Sequence, residues 1–411
     1  MINHLTSAVV ENPAMMNRRK ALTLALAALA GAGGCRRRES EKPESEKPEP
    51  GLLPEPAAPL EPLEGARLAP LKVDPSLVIR SVVGLRPFRP SGFVLRREDL
   101  DGKILVHNYG HGGGGISLSW GCARLALQLA EPVAGVDCAV IGGGVIGLTT
   151  ARLLQLQGAR VKLYTRELPP QTTSNIAGGH WWPVSVFHHS RLTGEFGEQF
   201  VEAAEFAFRY FQRLVGARWG VRWVTSYYLS DQPPGSGWME GPGGVLHPQQ
   251  IGFRDFGPGE HVFPREHARK FHTLLIEPSI FLDTLLRDVQ LAGGRVEVRE
   301  FTTPQEVLEL PEATIFNCTG LGARKLFGDE ELIPVRGQLE ILLPQPGIDY
   351  NIVSGGNYMF PRSDGVVLGG TFERGNWDLE PDPATRDRIL RSNRELFEAL
   401  AANLRGTPSP A

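Results

Sequence analysis

The run "VIGGGVIG" carries Gly142, Gly144 and Gly147 at the spacing G-x-G-x-x-G. Such a loop binds a pyrophosphate when it joins a strand to a helix. Gly142 permits the tight turn, Gly144 lets backbone approach the phosphates, and Gly147 lets the helix pack on the strand. Gly143, Val145 and Ile146 supply the intervening backbone, and the helix N-terminus adds free N–H groups and a positive dipole end. A second glycine-rich run, "HNYGHGGGGISLSWG" (His107–Gly121), comes shortly before and also runs into a helix-like stretch. Two such loops suggest two ligands, or one ligand gripped from both sides.

The elements around the first loop are complete. "VDCAVIGGGVIGLTTARLLQLQGARVKLYT" reads as a buried strand at Cys138–Ile141, a helix with apolar Val145, Leu148, Ala151, Leu153 and Leu154, a glycine stop at Gly158, and a second strand at Val161–Tyr164. The second strand ends "LYTRELP". Arg166 stands where a ribose-binding acid is often found and Glu167 follows it, so FAD, NAD and NADP all remain open here. In "PQTTSNIAGGHWWP" the hydroxyls of Thr172, Thr173 and Ser174 could donate to phosphates, and Gly178 and Gly179 would let backbone approach a flat ring ahead of His180. "FLDTLLRDVQLAGGRVEVREF" reads as helix, glycine stop and strand, ending at Phe301. "EATIFNCTGLGAR" reads as a buried strand with a third glycine site at Gly320. Both belong with the nucleotide-binding sheet.

Other segments suggest a second domain. Glu202–Leu214 has the period of an amphipathic helix, Val221–Ser230 reads as a strand, and "YMFPRSDGVVLGGTFE" as a hairpin turning at Ser363-Asp364-Gly365. "VRGQLEILL" reads as a further antiparallel strand, and "ATRDRILRSNRELFEALAANL" as a closing amphipathic helix. The expected fold is therefore α/β: a Rossmann-like parallel sheet with a second mixed or antiparallel β-sheet that holds the substrate.

The 411 residues carry a net charge of only −3, which leaves no electrostatic footprint for nucleic acid. The four cysteines lack metal-ligand spacing, and adjacent His188 and His189 point apart, so no metal is expected. Arg18-Arg19 precede "ALTLALAALAGA", which is too short to span a bilayer and fits an export signal of the twin-arginine type. Cys35 after "GAGG" loosely fits a lipoprotein cleavage site, so export to the periplasm and a membrane tether are expectations; a fortuitous basic-apolar start is the alternative. Arg36 to about Pro70 is rich in Pro, Glu and Lys and reads as a disordered spacer.

Several blocks resemble the D-amino-acid oxidase family of FAD flavoproteins: "GLRPFRPSGFVLRRE", "HNYGHGGGGISLSWGCA", "VIGGGVIGLTTARLL", "TTSNIAGGHWWP", "IFNCTGLGA", "VRGQ" and "LGGTFERGNWD". The first two come last in that family and first here, so the chain resembles a circular permutation of it, joined through "EPVAGVD". The implied organisation is a signal at 1–35, a linker at 36–72, the permuted segment with the nucleotide-binding unit at 73–183, substrate-domain parts at 184–270 and 331–382, a further FAD-binding part at 271–330, a helix at 383–404 and a tail at 405–411.

The resemblance implies one FAD held by both loops, its pyrophosphate at Gly142–Gly147 and its flavin beside Gly112, Gly113, Gly114, Gly115, Ile116 and Ser117. It implies that Arg86 and Tyr358 hold the substrate carboxylate and that the Gly113 carbonyl accepts from the amine. His111 is either a flavin neighbour or a structural group of the loop. Gly114 stands where many members carry tyrosine, which would widen the loop, and Ser354 replaces a second active-site tyrosine. His180 and Trp182 are candidate side-chain-pocket residues. The implied reaction is oxidation of a neutral D-amino acid by hydride transfer from Cα to flavin N5, giving a 2-oxo acid, ammonia and, with dioxygen, hydrogen peroxide, in an enzyme that is a candidate homodimer. The alternatives are D-aspartate oxidation, disfavoured because Phe372 replaces an arginine, a glycine- or sarcosine-type amine oxidase or dehydrogenase, and a non-catalytic flavin-binding lipoprotein.

Overall fold

The computed structural model describes residues 68–406. The export signal, Cys35 and nearly all of the spacer lie outside the described residues, as does the end of the C-terminal tail. Chain order is β1 (Val78–Phe88), β2 (Val94–Leu100), β3 (Lys103–Tyr109), α1 (Gly115–Ala130), β4 (Asp137–Ile141), α2 (Val145–Leu156), β5 (Arg160–Thr165), α3 (Thr173–Ile176), α4 (Gly194–Gln212), β6 (Val221–Ser230), β7 (Ile251–Phe256), β8 (His267–Ile276), α5 (Pro278–Leu291), β9 (Arg295–Val298), α6 (Pro304–Leu308), β10 (Thr314–Asn317), α7 (Gly322–Leu326), β11 (Ile333–Leu342), β12 (Tyr350–Ser354), β13 (Asn357–Arg362), β14 (Gly365–Gly369), β15 (Glu373–Arg374) and α8 (Pro383–Gly406).

The apolar runs pair into a six-stranded sheet in the order β2-β3-β10-β4-β5-β9. All its pairs are parallel except the β2–β3 hairpin, which turns at Asp101-Gly102, both at positive φ. Parallel strands need cover on both faces. On one face, Val106, Val140, Leu163 and Phe316 join a core with residues of α1, α2, α4 and α5. On the other, Leu105, Ala139, Ile141 and Ile315 pack with Val307, Leu310 and Leu326 from the segments around α6 and α7.

The second sheet has nine strands, in the order β1-β11-β14-β13-β12-β6-β8-β7 with β15 also on β11. Its pairs are antiparallel except β12–β6, which makes it mixed. Two strands cross the expected divisions. β1 lies within the 73–183 segment yet runs along β11 from Val78↔Leu342 to Phe88↔Ile333 in this sheet. β8 pairs with β6 from His267 to Ile276 and so passes residue 270 without a break.

α4 begins eight residues before the expected Glu202. Thr193 caps it by accepting from Phe196 N–H at 3.2 Å, and Gly194 and Gly197 had hidden the apolar period. α4 crosses α1 at Gly121, where a Cβ would fall 1.9 Å from the carbonyl oxygen of Ala203. No side-chain rotation relieves a clash with backbone. Gly121→Ala should therefore cost about 3 kcal/mol, the upper end for overpacking. Thermal unfolding followed by circular dichroism checks this, and an unchanged midpoint would remove the claim that this contact sets the helix spacing.

Candidate active site

The turn between β4 and α2 is built on absent side chains. Gly142 has φ +118°, and a Cβ there would lie 2.4 Å from the Cys318 carbonyl oxygen. A Cβ on Gly147 would fall 1.8 Å from the Gly142 carbonyl oxygen, so the helix sits directly on its own loop. At Gly144 a Cβ would meet only Ser174 Oγ, at 3.1 Å. Two hydroxyls fix the loop from outside. Thr165 Oγ1 accepts from Gly143 N–H at 2.8 Å and donates to the Glu167 carbonyl at 2.6 Å. Ser174 Oγ accepts from Val145 N–H at 3.0 Å. Gly144, the N-cap of α2, makes no side-chain cap bond and no acid stands in the first turn, so beyond the Val145 N–H taken by Ser174 the helix end stays open to an anionic ligand.

The expected phosphate donors therefore divide. Ser174 Oγ already accepts from the loop, at Val145 N–H. Thr172, which is buried, donates to Asn175 Oδ1 at 2.8 Å, and Thr173 is exposed. Arg166 and Glu167 stand exposed beyond the end of β5 and pair with each other at 3.2 Å, with Glu300 3.8 Å from Arg166 on the far side. Phe301 lies edge-on to Tyr164 at 5.7 Å, beneath the Arg299 guanidinium. These groups gather at the carboxyl ends of β5 and β9. Gly320, at φ +57°, has open space around its Cα just beyond β10.

The second glycine loop leaves the same edge of the sheet, because β3 and β4 flank β10 in parallel. Asn108 Nδ2 donates to Thr150 Oγ1 at 3.3 Å, Thr149 Oγ1 donates to the Ser119 carbonyl at 3.3 Å, and a Cβ on Gly115 would lie 3.9 Å from Val145 Cγ1. The two loops thus meet. Gly113 N–H donates to the Ser185 carbonyl at 3.2 Å, and Cβ atoms at Gly112 and Gly113 would run into the carbonyls of Ser185 and Val184. Gly114 does not widen the loop: a Cβ there would lie 2.6 Å from Val186 Cγ2, with Leu118 and Pro183 also in contact, so neighbouring side chains fill the space a tyrosine would take. Gly114 caps α1 without a side-chain bond, Ile116 is buried, and Ser117 Oγ donates to the Gly114 carbonyl at 3.2 Å. His111 is buried against Phe93, ring centroids 5.1 Å apart, and its Nε2 has no partner.

α3, tied to the Gly142–Gly147 turn through Ser174, carries the chain from β5 toward the larger sheet. A Cβ on Gly84 of β1 would strike Ile176 at 2.9 Å, and one on Gly178 would strike Phe360 at 2.7 Å and touch Tyr358 at 3.7 Å. Gly179, φ +91°, brings the backbone against the Ile276 carbonyl, and His180 then bridges to Leu275. His180 Nε2 lies 3.1 Å from Ser226 Oγ and its ring packs near Phe360. Trp182 is buried against Phe271 in the core.

On this face of the sheet two glycines, Gly337 and Gly369, leave bare backbone that the side chains of Arg86 and Tyr358 cross. A Cβ on Gly337 would fall 2.3 Å from Arg86 Nη1, and a Cβ on Gly369 would fall 2.0 Å from Tyr358 Cζ. Register puts them on one face, since Leu339 lies opposite Gly369 and two residues from Gly337. Arg86 donates to the Thr371 carbonyl at 3.4 Å and has no acidic partner among the described residues. Tyr358 stacks on Phe360 at 4.7 Å. Ser354, at the position of the missing tyrosine, accepts from Arg265 Nε at 3.3 Å. Gly337 and Gly369 were not singled out as site residues in the sequence, although both lie in family-like runs, "VRGQ" and "LGGT".

A dinucleotide-binding unit beside a second sheet, whose face carries a guanidinium with no acidic partner among the described residues, fits a nucleotide-dependent oxidoreductase. Residues 137–408 match the family described as FAD dependent oxidoreductase, and the chain belongs to that family. It is an FAD-dependent amine oxidoreductase, and the cradle at Gly142–Gly147, with its uncapped helix, fits that cofactor. The chain is similar to a D-amino-acid oxidase of Streptomyces coelicolor, 34% identical over 263 residues, 62% of this chain and 76% of that protein. It is similar to a D-amino-acid oxidase of Rubrobacter xylanophilus, 32% identical over 274 residues, 65% of this chain and 78% of that one. A human D-aspartate oxidase is 29% identical over 267 residues, 61% and 73% of the two chains.

Two outcomes follow from the site. Gly369→Ala should push the Tyr358 ring off its strand, lowering kcat/KM while flavin content stays near normal; unchanged steady-state kinetics would mean the ring's place is not set by that glycine. Burial also lowers the pKa of both His111 and His180 to about 3. Their folded pKa lies below the unfolded value of about 6.5, so the unfolded state binds more protons between the two. Their contribution is complete above pH 6.5 and is lost as pH falls toward 3, at about 1.4 kcal/mol per pH unit per histidine. Urea unfolding at pH 7 and pH 5 should show that loss, smaller in His180→Gln; equal stability at both pH values would contradict it.

Proposed function

We propose that this enzyme oxidatively deaminates D-amino acids with neutral side chains, using dioxygen as the final oxidant. The observation that carries the reading is the Arg86 guanidinium, lying without a carboxylate partner across Gly337, on the face that α3 and Gly178 reach from the pyrophosphate loop. A guanidinium fork matches a carboxylate with two parallel hydrogen bonds. The two bacterial relatives named D-amino-acid oxidase support the same substrate class. Phe372, where D-aspartate oxidation would place an arginine, supports neutral side chains.

Arg86 and the Tyr358 hydroxyl would fix the α-carboxylate, and the Gly113 carbonyl would accept from the amine. Three fixed points set which Cα substituent faces the cofactor, so positioning supplies much of the rate. Ile176, Tyr358 and Phe360 form an apolar wall around the site. When bound, FAD supplies the two-electron acceptor. The substrate loses a hydride from Cα and a proton from nitrogen, water hydrolyses the imine to a 2-oxo acid and ammonia, and dioxygen is reduced to hydrogen peroxide.

We also infer that the chain is a circular permutant of its relatives. The matched region begins at Asp137, yet β1, ahead of it, is a strand of the larger sheet, and β2 and β3 are strands of the smaller one. Arg394, midway along α8, donates to the Val73 carbonyl at 3.0 Å, so the last helix runs past the entry to β1. Export in the folded state, a lipid tether at Cys35 and a homodimer belong to the proposal, supported for the first two by the Arg18-Arg19 and Cys35 segments.

Anaerobic D-alanine should bleach the flavin and L-alanine should not. Arg86→Ala should raise KM for D-alanine by roughly two orders of magnitude, the scale of a lost buried charge pair. Equal bleaching by both enantiomers, or an unmoved KM in Arg86→Ala, overturns the reading.

A further inference from the structure

The face of the larger sheet that carries Arg86 and Tyr358 continues past them onto β12 and β6. Tyr358 lies opposite Val353 on β12, and Val353 lies opposite Tyr228 on β6. These three side chains form one row, and all are half-buried, so part of each faces open space. The next row on the same face, two residues along each strand, holds Phe360, Asn351 and Ser226. Asn351 and Ser226 thus set two fully buried polar groups beside an apolar core. His180 joins them, its ring 5.2 Å from Phe360, which in turn stacks on Tyr358.

The bonds in this group fix where its protons lie. Asn351 Nδ2 donates to Ser226 Oγ at 3.1 Å, and an amide nitrogen can only donate. The Ser226 proton therefore goes to its other partner, His180 Nε2, 3.1 Å away. Burial lowers the His180 pKa to about 3, so the ring is neutral and has a single N–H. With Nε2 accepting, that N–H is at Nδ1. Turning the Asn351 amide over would reverse the chain. It would also leave a buried N–H without an acceptor, in place of the Oδ1 that lacks a donor among the described residues, and an orphaned N–H is the rarer of the two in folded proteins. Nδ1 has no hydrogen-bond partner among the described residues, and the ring is half-buried. The chain thus presents one oriented donor at the wall of the site, between Phe360 and Tyr228, whose ring is 6.2 Å off.

We propose that His180 Nδ1–H donates a hydrogen bond to a side-chain oxygen of the substrate, and that the enzyme therefore selects D-amino acids with a neutral, oxygen-bearing side chain over aliphatic ones of the same size. The inference rests on the D-amino-acid reading of the site and narrows its substrate class. With the α-carboxylate between Arg86 and Tyr358, the side chain has the strip over Val353 and Tyr228 to occupy, and His180 is the neutral donor on that strip. A donor that sheds water when the pocket fills is left unpaired by an aliphatic side chain and is paired by an amide or hydroxyl oxygen. Ser226 and Asn351 touch no substrate. They are positioning residues that decide which ring nitrogen bears the proton.

The test is kcat/KM of the full-chain holoenzyme for D-asparagine and D-leucine, whose side chains are nearly equal in size. Their ratio cancels effects common to both. The native enzyme should favour D-asparagine. His180→Leu should lower the ratio about tenfold, the scale of one neutral hydrogen bond, and His180→Gln, which keeps an N–H donor, should restore part of it. Ser226→Ala should lower it less, because the ring proton is then free to sit on either nitrogen. Nitrogen NMR of the isotope-labelled histidines, with the His180 signals identified by their loss in His180→Gln, should show the proton on Nδ1. Were His180→Leu not to fold, the native ratio and the NMR signals would decide by themselves. D-leucine used better than D-asparagine by the native enzyme, a ratio unmoved in His180→Leu, or a ring protonated at Nε2 overturns the role of His180 while D-amino-acid oxidation stands. No oxidation of D-alanine, D-asparagine or D-leucine overturns the parent reading and this one with it.

Discussion

The hydrogen bond from Val145 N–H to Ser174 Oγ joins the two halves of the site. Val145 opens the helix that follows the Gly142–Gly147 turn, and Ser174 belongs to the single turn that then runs onto the larger sheet. From there Ile176 meets Gly84, Gly178 meets Phe360, and Gly179 meets β8. A cofactor's phosphate end and a substrate's carboxylate end can be held in fixed relation only if something rigid connects their two sheets. Here the connector is short, and at each of these contacts one partner is a glycine, so the other packs directly on backbone and has little freedom to drift.

Glycine does a second kind of work on the larger sheet. An arginine or tyrosine on a strand normally stands upright and faces solvent or a packed neighbour. Arg86 and Tyr358 instead lie flat, because β11 and β14 present no side chain beneath them at Gly337 and Gly369. The sheet gives up two cross-strand side-chain contacts, each of modest worth, and gains a shallow floor on which charged and hydroxyl groups are held in fixed places.

Much of this was legible in the amino-acid sequence. The βαβ unit appears where the alternation of strand, glycine loop and apolar helix period required it, and β6 and the turn at Ser363-Asp364 appear where period-2 alternation and turn residues marked them. Local chemistry specifies such elements. What the sequence concealed depended on partners distant in the chain. The strand from Val78 to Phe88 looked like part of a nucleotide-binding segment, but its register is set by β11. The glycine at 114 read as open space, but the space belongs to Val186, far along the chain in a different loop. Gly337 and Gly369 looked like ordinary strand glycines, because only the folded sheet reveals which side chain lies across them.

The order in which the strands leave the ribosome sets a problem for the newborn chain. β1 emerges first among the described strands, yet Val78 waits for Leu342 and Phe88 for Ile333. Until β11 is made, β1 has a hydrogen-bonding edge with nothing to close it, and long-range pairing of this kind is slow to form. The β4–α2–β5 unit, by contrast, pairs within one local stretch, but β4 also keeps an open edge until β10 is made. Both sheets therefore close only when residues beyond 310 have been added.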